Sequence, residues 1–337
     1  MSGAGRPPPE EFAQALRELG LAGSEALRGE PLTGGVSSDI WRIDTARGPV
    51  CAKRALAKLR VAADWRAPIE RNQYEARWMA VAQQAAPGSA PQLLGQHPAL
   101  GVLVMRWLAP ADHTLWKQQL REGHAELATA QAVGRRLARI HAFAAARPEL
   151  AAQFDTDRIF YDIRLEPYLV ATAVQHPDLA PQLHALVAQT QAHAVALVHG
   201  DVSPKNILVG PQGPVLLDAE CAWWGDPAFD LAFCLNHLLL KCLWAPAARD
   251  AFLACFDALA ATYLAGVDWE PREAVEQRAA HLLPGLLLAR VDGKSPAEYI
   301  TTDVQREPVR RCARLLIQRP VSRLADVGAA WRREIER

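Results

Sequence analysis

Four oxygen-bearing side chains gather in one stretch of this chain: Asp201 and Asn206 in "HGDVSPKN", then Asp218 and Glu220 in "LLDAE". Asp201 and Asn206 stand five apart on one loop, and Asp218 follows twelve residues after Asn206 at the end of a short apolar run. A loop and an adjacent strand end can bring such groups together without strain. Oxygen-only ligands that include an amide carbonyl suit Mg²⁺ bound together with phosphates. Asp201, the carboxylate left over, is then available to take a proton from an attacking hydroxyl. A cation to neutralise phosphate charge and a base to orient the nucleophile are what phosphoryl transfer needs.

Positioning these groups falls to the surrounding elements. Pro9 to Leu19 reads as a short amphipathic helix with acidic residues in its first turn. From about Glu25 to Leu108 strands dominate. "DIWRI" and "PVCAKRAL" alternate around the turn "TARG" and predict a hairpin. "IERNQYEARWMAVAQQA" has helical periodicity and stops at "PGSAP", and "QLLGQHPALGVLVMRWL" predicts a second strand pair. From Asp112 on the chain turns helical, with "AFDLAFCLNHLLLKCLW" as a central apolar helix and "PVLLDAE" as a short strand. The expected organisation is an N-terminal extension and helix over 1–24, a small strand-rich lobe over 25–108, and a large helical lobe over 109–337. A cleft between two lobes is where ligands tend to bind.

Composition agrees. The 337 residues are long for a single core and natural for two lobes. A formal net charge of zero argues against nucleic-acid binding through a basic face. Ten Trp are expected mostly in the core, with several at the rim of the cleft. The six Cys show no C-x-x-C pair, so neither a zinc site nor a disulfide framework is expected, and a reducing cytoplasm fits. The start, "MSGAGRPPPEEF", lacks an apolar signal-peptide core, and no apolar stretch is long enough to span a bilayer.

"HGDVSPKN" followed by "LLDAE" and "GDPAFDLA" resembles the aminoglycoside phosphotransferase and choline kinase superfamily. The resemblance implies an α+β, protein-kinase-like bilobal fold, with an antiparallel-sheet small lobe and a helical large lobe. It implies ATP as donor and Mg²⁺ as cofactor. Asp, Asn five later and a strand-end Asp repeat the catalytic loop and metal site of protein kinases. His-Gly-Asp and Asp-x-Glu depart from the protein-kinase versions and favour the small-molecule branch. On this resemblance Asp201 is the base, Asn206 and Asp218 hold Mg²⁺, and Glu220 is placed for a second metal. Asp230 braces the catalytic loop from the next helix, and His199 is structural.

The small lobe should supply a strand lysine for the nucleotide phosphates, paired with a helix glutamate. Lys53 in "VCAKRAL" and Glu75 in "RNQYEARWM" are the expected pair, with Glu70 as the lesser choice. The segment between them resembles methylthioribose kinases. Gly34, Gly35, Ser37 and Ser38 lie where a phosphate-covering loop belongs. Met105, Trp107 and Leu108 are expected at the hinge flanking adenine. On the acceptor side, Trp223 and Trp224 are expected as pocket walls, with Asp226 and Arg290 in contact with the small-molecule hydroxyl acceptor. "DGKSP" ends like a P-loop, but Leu288 stands where the first glycine is needed. Cys221 has an apolar flank and predicts an inert thiol. Aminoglycoside O-phosphorylation, a nucleotide-binding pseudokinase and, more weakly, a metal hydrolase remain as alternatives.

Overall fold

The computed structural model describes residues 5–32, 38–56 and 69–337. Helix α1 (Glu10–Glu18) starts directly after Pro9, with Glu10 and Glu11 complementing the helix dipole. Strands β1 (Arg28–Pro31), β2 (Ser38–Thr45) and β3 (Gly48–Ala55) follow, then helix α2 (Arg71–Ala85) and strands β4 (Leu93–His97) and β5 (Val102–Arg106). The five strands form one antiparallel sheet in the order β1-β2-β3-β5-β4.

Strand alternation gives this sheet two working faces. Val50 and Ala52 of β3 and Val102 and Val104 of β5 pack with Phe12 and Leu16 of α1. The alternate residues Leu103 and Met105 join Trp78, Met79 and Ala82 of α2 in the larger core. Lys53, adjacent to Ala52, is thereby turned toward α2. Helix α1, expected as a separate extension, is thus the outer cover of the small-lobe sheet.

The large lobe begins with the two-residue strand β6 (Thr114–Leu115) and helices α3 (Trp116–Arg121) and α4 (Leu127–Ala145). Helix α5 (Asp157–Phe160) runs into a π-helical stretch, Tyr161–Val170, with Pro167 inside it, and then α6 (Ala171–Gln175) and α7 (Ala180–Ala192). Strands β7 (Ala196–Val198), β8 (Ile207–Gly210), β9 (Gly213–Leu216) and β10 (Trp223–Gly225) frame the polar motif. They form two small antiparallel sheets, β10-β7 and β6-β8-β9. Helix α8 (Ala228–Trp244) is the central helix, with fifteen of its seventeen residues buried, as an apolar sequence without a polar face requires. Helices α9 (Arg249–Ala265), α10 (Arg272–Asp292), α11 (Asp303–Gln318) and α12 (Leu324–Ile335) complete the lobe. Among the described residues no helix is long and apolar enough to cross a membrane.

Candidate active site

The loop after β7 is held from below by one buried carboxylate. Asp230, in the first turn of α8, accepts the backbone N–H groups of His199 at 2.7 Å and Gly200 at 2.8 Å. It also faces His141 Nε2 at 3.2 Å, and His141 Nδ1 lies 2.7 Å from the Tyr263 hydroxyl. His199 Nδ1 accepts the Asp201 N–H at 3.1 Å, so its Nε2–H donates to the Leu217 carbonyl at 3.1 Å. Burial holds the His199 ring below its ordinary pKa, against the pull of Asp230, and keeps that neutral tautomer. Gly200 has φ +79°, and a Cβ there would stand 2.6 Å from the Cys221 carbonyl. Only glycine fits that turn. His199 and Asp230 therefore act by shaping the loop.

Asp201 emerges from this scaffold with 5 % of its surface exposed. Its Oδ2 lies 3.0 Å from Arg164 Nη2 and 3.2 Å from Lys205 Nζ. Burial alone would push this carboxyl up, but Arg164 and then Lys205 outweigh it and hold it below the usual carboxylate range. A carboxylate so held is a weak base that orients a hydroxyl by accepting its hydrogen bond. Arg164, from the π-helical stretch, is missing from the sequence reading. The only signal for it is an Arg set among apolar residues in "FYDIRLEPYLV".

Across the cleft, Lys53 Nζ sits 2.7 Å from Glu75 Oε2 and also contacts Asp218 Oδ1. Burial works against the ammonium, but Asp218 and Glu75 hold its pKa well above the ordinary value. Asp218 is correspondingly held low: burial opposes its charge, and Lys53 and Lys205 outweigh burial. Burial pushes the Glu75 carboxyl up to about 7. Asp218 has φ +66°, the one non-glycine residue among those described in the left-handed region. Glu70 lies at the N-cap of α2, and Glu75 alone of the two candidates meets the lysine.

Asn206 donates its amide N–H to the Asp201 carbonyl at 3.1 Å, and its backbone carbonyl accepts the Leu217 N–H at 2.8 Å. These bonds leave the Asn206 side-chain carbonyl oxygen and Asp218 Oδ2 without a hydrogen bond among the described residues. One amide oxygen and one carboxylate oxygen, completed by phosphates, is a donor set that Mg²⁺ accepts. Glu220 is differently committed. Its Oε2 accepts from Arg71 Nε at 3.0 Å, and Arg71 is fully buried. Among the described residues no group of three His, Cys, Asp or Glu side chains converges. Glu220 is tied to α2 through one of its two carboxylate oxygens.

The remaining expectations divide. Gly34, Gly35 and Ser37 lie outside the described residues. Ser38 opens β2 and is buried, with no hydrogen-bond partner for its hydroxyl among the described residues. Met105 is buried in β5, and Trp107 and Leu108 follow half-buried where the chain passes between lobes. Trp223 is no pocket wall: it is 2 % exposed, stacks on Phe160 with centroids 4.2 Å apart, and donates Nε1–H to Asp157 Oδ1 at 2.6 Å. Trp224 points to the opposite face of β10 and is half-buried. Asp226 is likewise taken, accepting the Ala228 N–H at 2.9 Å and pairing with Arg278 at 2.8 Å. It serves the start of α8 and not an acceptor. Arg290 is buried, with Nη1 3.3 Å from the Tyr168 hydroxyl. Cys221 is buried and its thiol is pushed up by burial, as an inert group should be. The six cysteines are all unpaired.

Residues 28–241 match the family model described as "Phosphotransferase enzyme family" (APH). A methylthioribose kinase of Cronobacter sakazakii is 26 % identical over 270 residues, covering 70 % of this chain and 66 % of that protein. The chain spans between about half and two thirds of the length of the curated relatives it matches. Among solved structures, a choline/ethanolamine kinase family protein from Mesorhizobium loti superposes with TM-score 0.52 at 18 % identity, covering 96 % of this chain and 98 % of that one. Amicoumacin kinase hAmiN, in complex with AMP-PNP, Ca²⁺ and Ami, gives TM-score 0.54 at 13 % identity, covering 88 % of this chain and 90 % of its own. At those identities the likeness concerns the fold, which is the protein-kinase-like, bilobal α+β arrangement expected from the sequence.

Proposed function

This chain belongs to the phosphotransferase enzyme family, and from that premise we propose that it moves the γ-phosphoryl group of ATP to a hydroxyl of a small molecule. The observation that carries the reading is Lys53, buried between Glu75 of the small lobe and Asp218 of the large lobe, across the cleft from Asp201. In this reading Lys53 grips the nucleotide phosphates and Glu75 fixes its position. Asn206 and Asp218 would hold Mg²⁺, which would supply positive charge against the phosphate oxygens. Asp201 accepts the hydrogen bond of the acceptor hydroxyl and aims its oxygen. Arg164 keeps Asp201 ionised, and Lys205, 3.2 Å from the same carboxylate, stands where the transferring phosphoryl group needs a cation. Met105, Trp107 and Leu108 flank the adenine. The unpaired cysteines favour a reducing, cytoplasmic setting.

The test is ADP release by the full chain with ATP and Mg²⁺ over sugars, amino alcohols, hydroxy acids and aminoglycosides. Acceptor-dependent turnover that vanishes in Asp201→Asn is the expected result. ADP release that is independent of every acceptor and unchanged in Asp201→Asn would refute it.

A further inference from the structure

We propose that the acceptor carries an anionic group, a carboxylate or a phosphate monoester, which docks on Lys241 and Arg290. This inference rests on the phosphotransfer reading and names the acceptor class for that same site.

The docking place is linked to Asp201 through Arg164 and the Tyr168 ring that Arg164 and Arg290 share. Arg164, its partner, lies 5.6 Å from the Phe233 ring and 5.9 Å from the Tyr168 ring. Arg290 lies 5.8 Å from the centroid of the same Tyr168 ring and reaches the Tyr168 hydroxyl. On α8, Phe233, His237 and Lys241 recur every four residues and so share one face. Lys241 Nζ ends that row, 3.7 Å from the Tyr299 ring and 4.0 Å from the Trp244 ring.

Charge on this wall is unbalanced. Lys241 is 1 % exposed and Arg290 8 % exposed, and among the described residues neither has a carboxylate within ion-pair distance. The nearby Glu298 is paired with Lys117. Buried cations without counter-ions are costly. Burial, with Lys117 and Arg290 close by, pushes the Lys241 ammonium down to about 6, although Glu298 opposes this. Arg290 Nη1 donates to the Ser295 carbonyl and lies 3.1 Å from the Ser295 hydroxyl, while Arg290 Nε and the Tyr299 hydroxyl are buried with no hydrogen-bond partner among the described residues. A guanidinium, an amine that an incoming anion would help to protonate, and surplus donors at a buried wall describe half of an anion site.

A cationic acceptor fits badly. The Trp244 and Tyr299 faces would suit a quaternary ammonium, but the protein's own Lys241 already occupies them.

The experiment uses the full chain with glycerol, glycerate, glycerol 3-phosphate and choline as matched probes, each at millimolar concentration with ADP and Mg²⁺ present. Thermal midpoints and binding isotherms are read for the wild type, Lys241→Met and Tyr299→Phe. Glycerate or glycerol 3-phosphate should bind and stabilise the wild type, which of the two does so identifying carboxylate or phosphate. Glycerol and choline should not. Lys241→Met should weaken anion binding by about 10- to 100-fold, and Tyr299→Phe, which keeps the ring and its packing, should weaken it less. Choline or glycerol binding as tightly as the anions, or unchanged anion affinity in both variants, would overturn the inference. The midpoint rise with ATP and Mg²⁺ alone is measured in parallel. Its absence would count against the phosphotransfer reading, whereas its presence without anion preference would count against this inference only.

Discussion

Arg164→Met tests how the site holds its catalytic-loop carboxylate. The substitution keeps the length and apolar bulk of the side chain and removes the guanidinium from Asp201. The two groups lie 3.0 Å apart, with side chains 8 % and 6 % exposed. Removing one partner of a buried pair costs about 3–5 kcal/mol, because the other charge is left uncompensated. Lys205 remains 3.2 Å from the same oxygen, but its side chain is 54 % exposed and screened by water. The lower end, about 3 kcal/mol, is therefore expected. Asp201→Asn in the same background removes the stranded charge and should restore most of that loss. A double-mutant cycle in urea, read by Trp fluorescence, gives the coupling directly, and about 2 kcal/mol is expected. The same variant should move the acid limb of the kcat profile to higher pH, since Arg164 is the main group holding Asp201 low. Single-variant losses that add to within about 0.5 kcal/mol, with an unmoved acid limb, would refute the reasoning.

Three further outcomes follow from the geometry. Asp218→Ala should abolish the Mg²⁺-dependent part of nucleotide stabilisation in thermal shift; metal dependence equal to wild type would remove Asp218 from the metal site. Lys241 titrates at about 6 in the folded chain against an ordinary 10.5, among Lys117, Glu298 and Arg290, so the unfolded chain binds the extra proton between those values. Stability should thus rise with pH across that window, by about 1.4 kcal/mol per unit from this group. Urea denaturation at about pH 7 and about pH 8 should show that increment lost in Lys241→Met, and equal slopes in both proteins would contradict it. Gly200→Ala must force a side chain into φ +79° and against the Cys221 carbonyl. At least about 2 kcal/mol of stability should be lost, and a wild-type denaturation midpoint would exclude the tight loop.

What the sequence revealed was what lies close together along the chain. Asp201, Asn206 and Asp218 belong to one loop and the strand end that follows it, so their spacing already constrains their meeting. Lys53 and Glu75 were readable because a strand and the next helix pack in a fixed sense. Arg164 was not: its pairing with Asp201 depends on how a distant π-helical stretch docks, and no local pattern encodes that. Trp223 and Trp224 look alike in sequence, and only a three-residue strand decides which faces the core. That strand is too short to show a period of two. Asp226 meets Arg278 from fifty-two residues away, a tertiary contact that pre-empts the acceptor role. Lys241 did leave a trace, a lysine inside "LLLKCLW", where an uninterrupted apolar run would pack more cheaply.

The left-handed backbone at Asp218 has an evolutionary corollary. Holding a side-chain-bearing residue there costs of the order of 1–3 kcal/mol, a penalty glycine largely escapes. Asp218→Gly would relax the turn while discarding the carboxylate proposed to hold the metal. A library of this gene screened for abundance or heat resistance alone would therefore be drawn toward inactive winners at this codon. Selection for yield should be paired with a turnover assay from the first round.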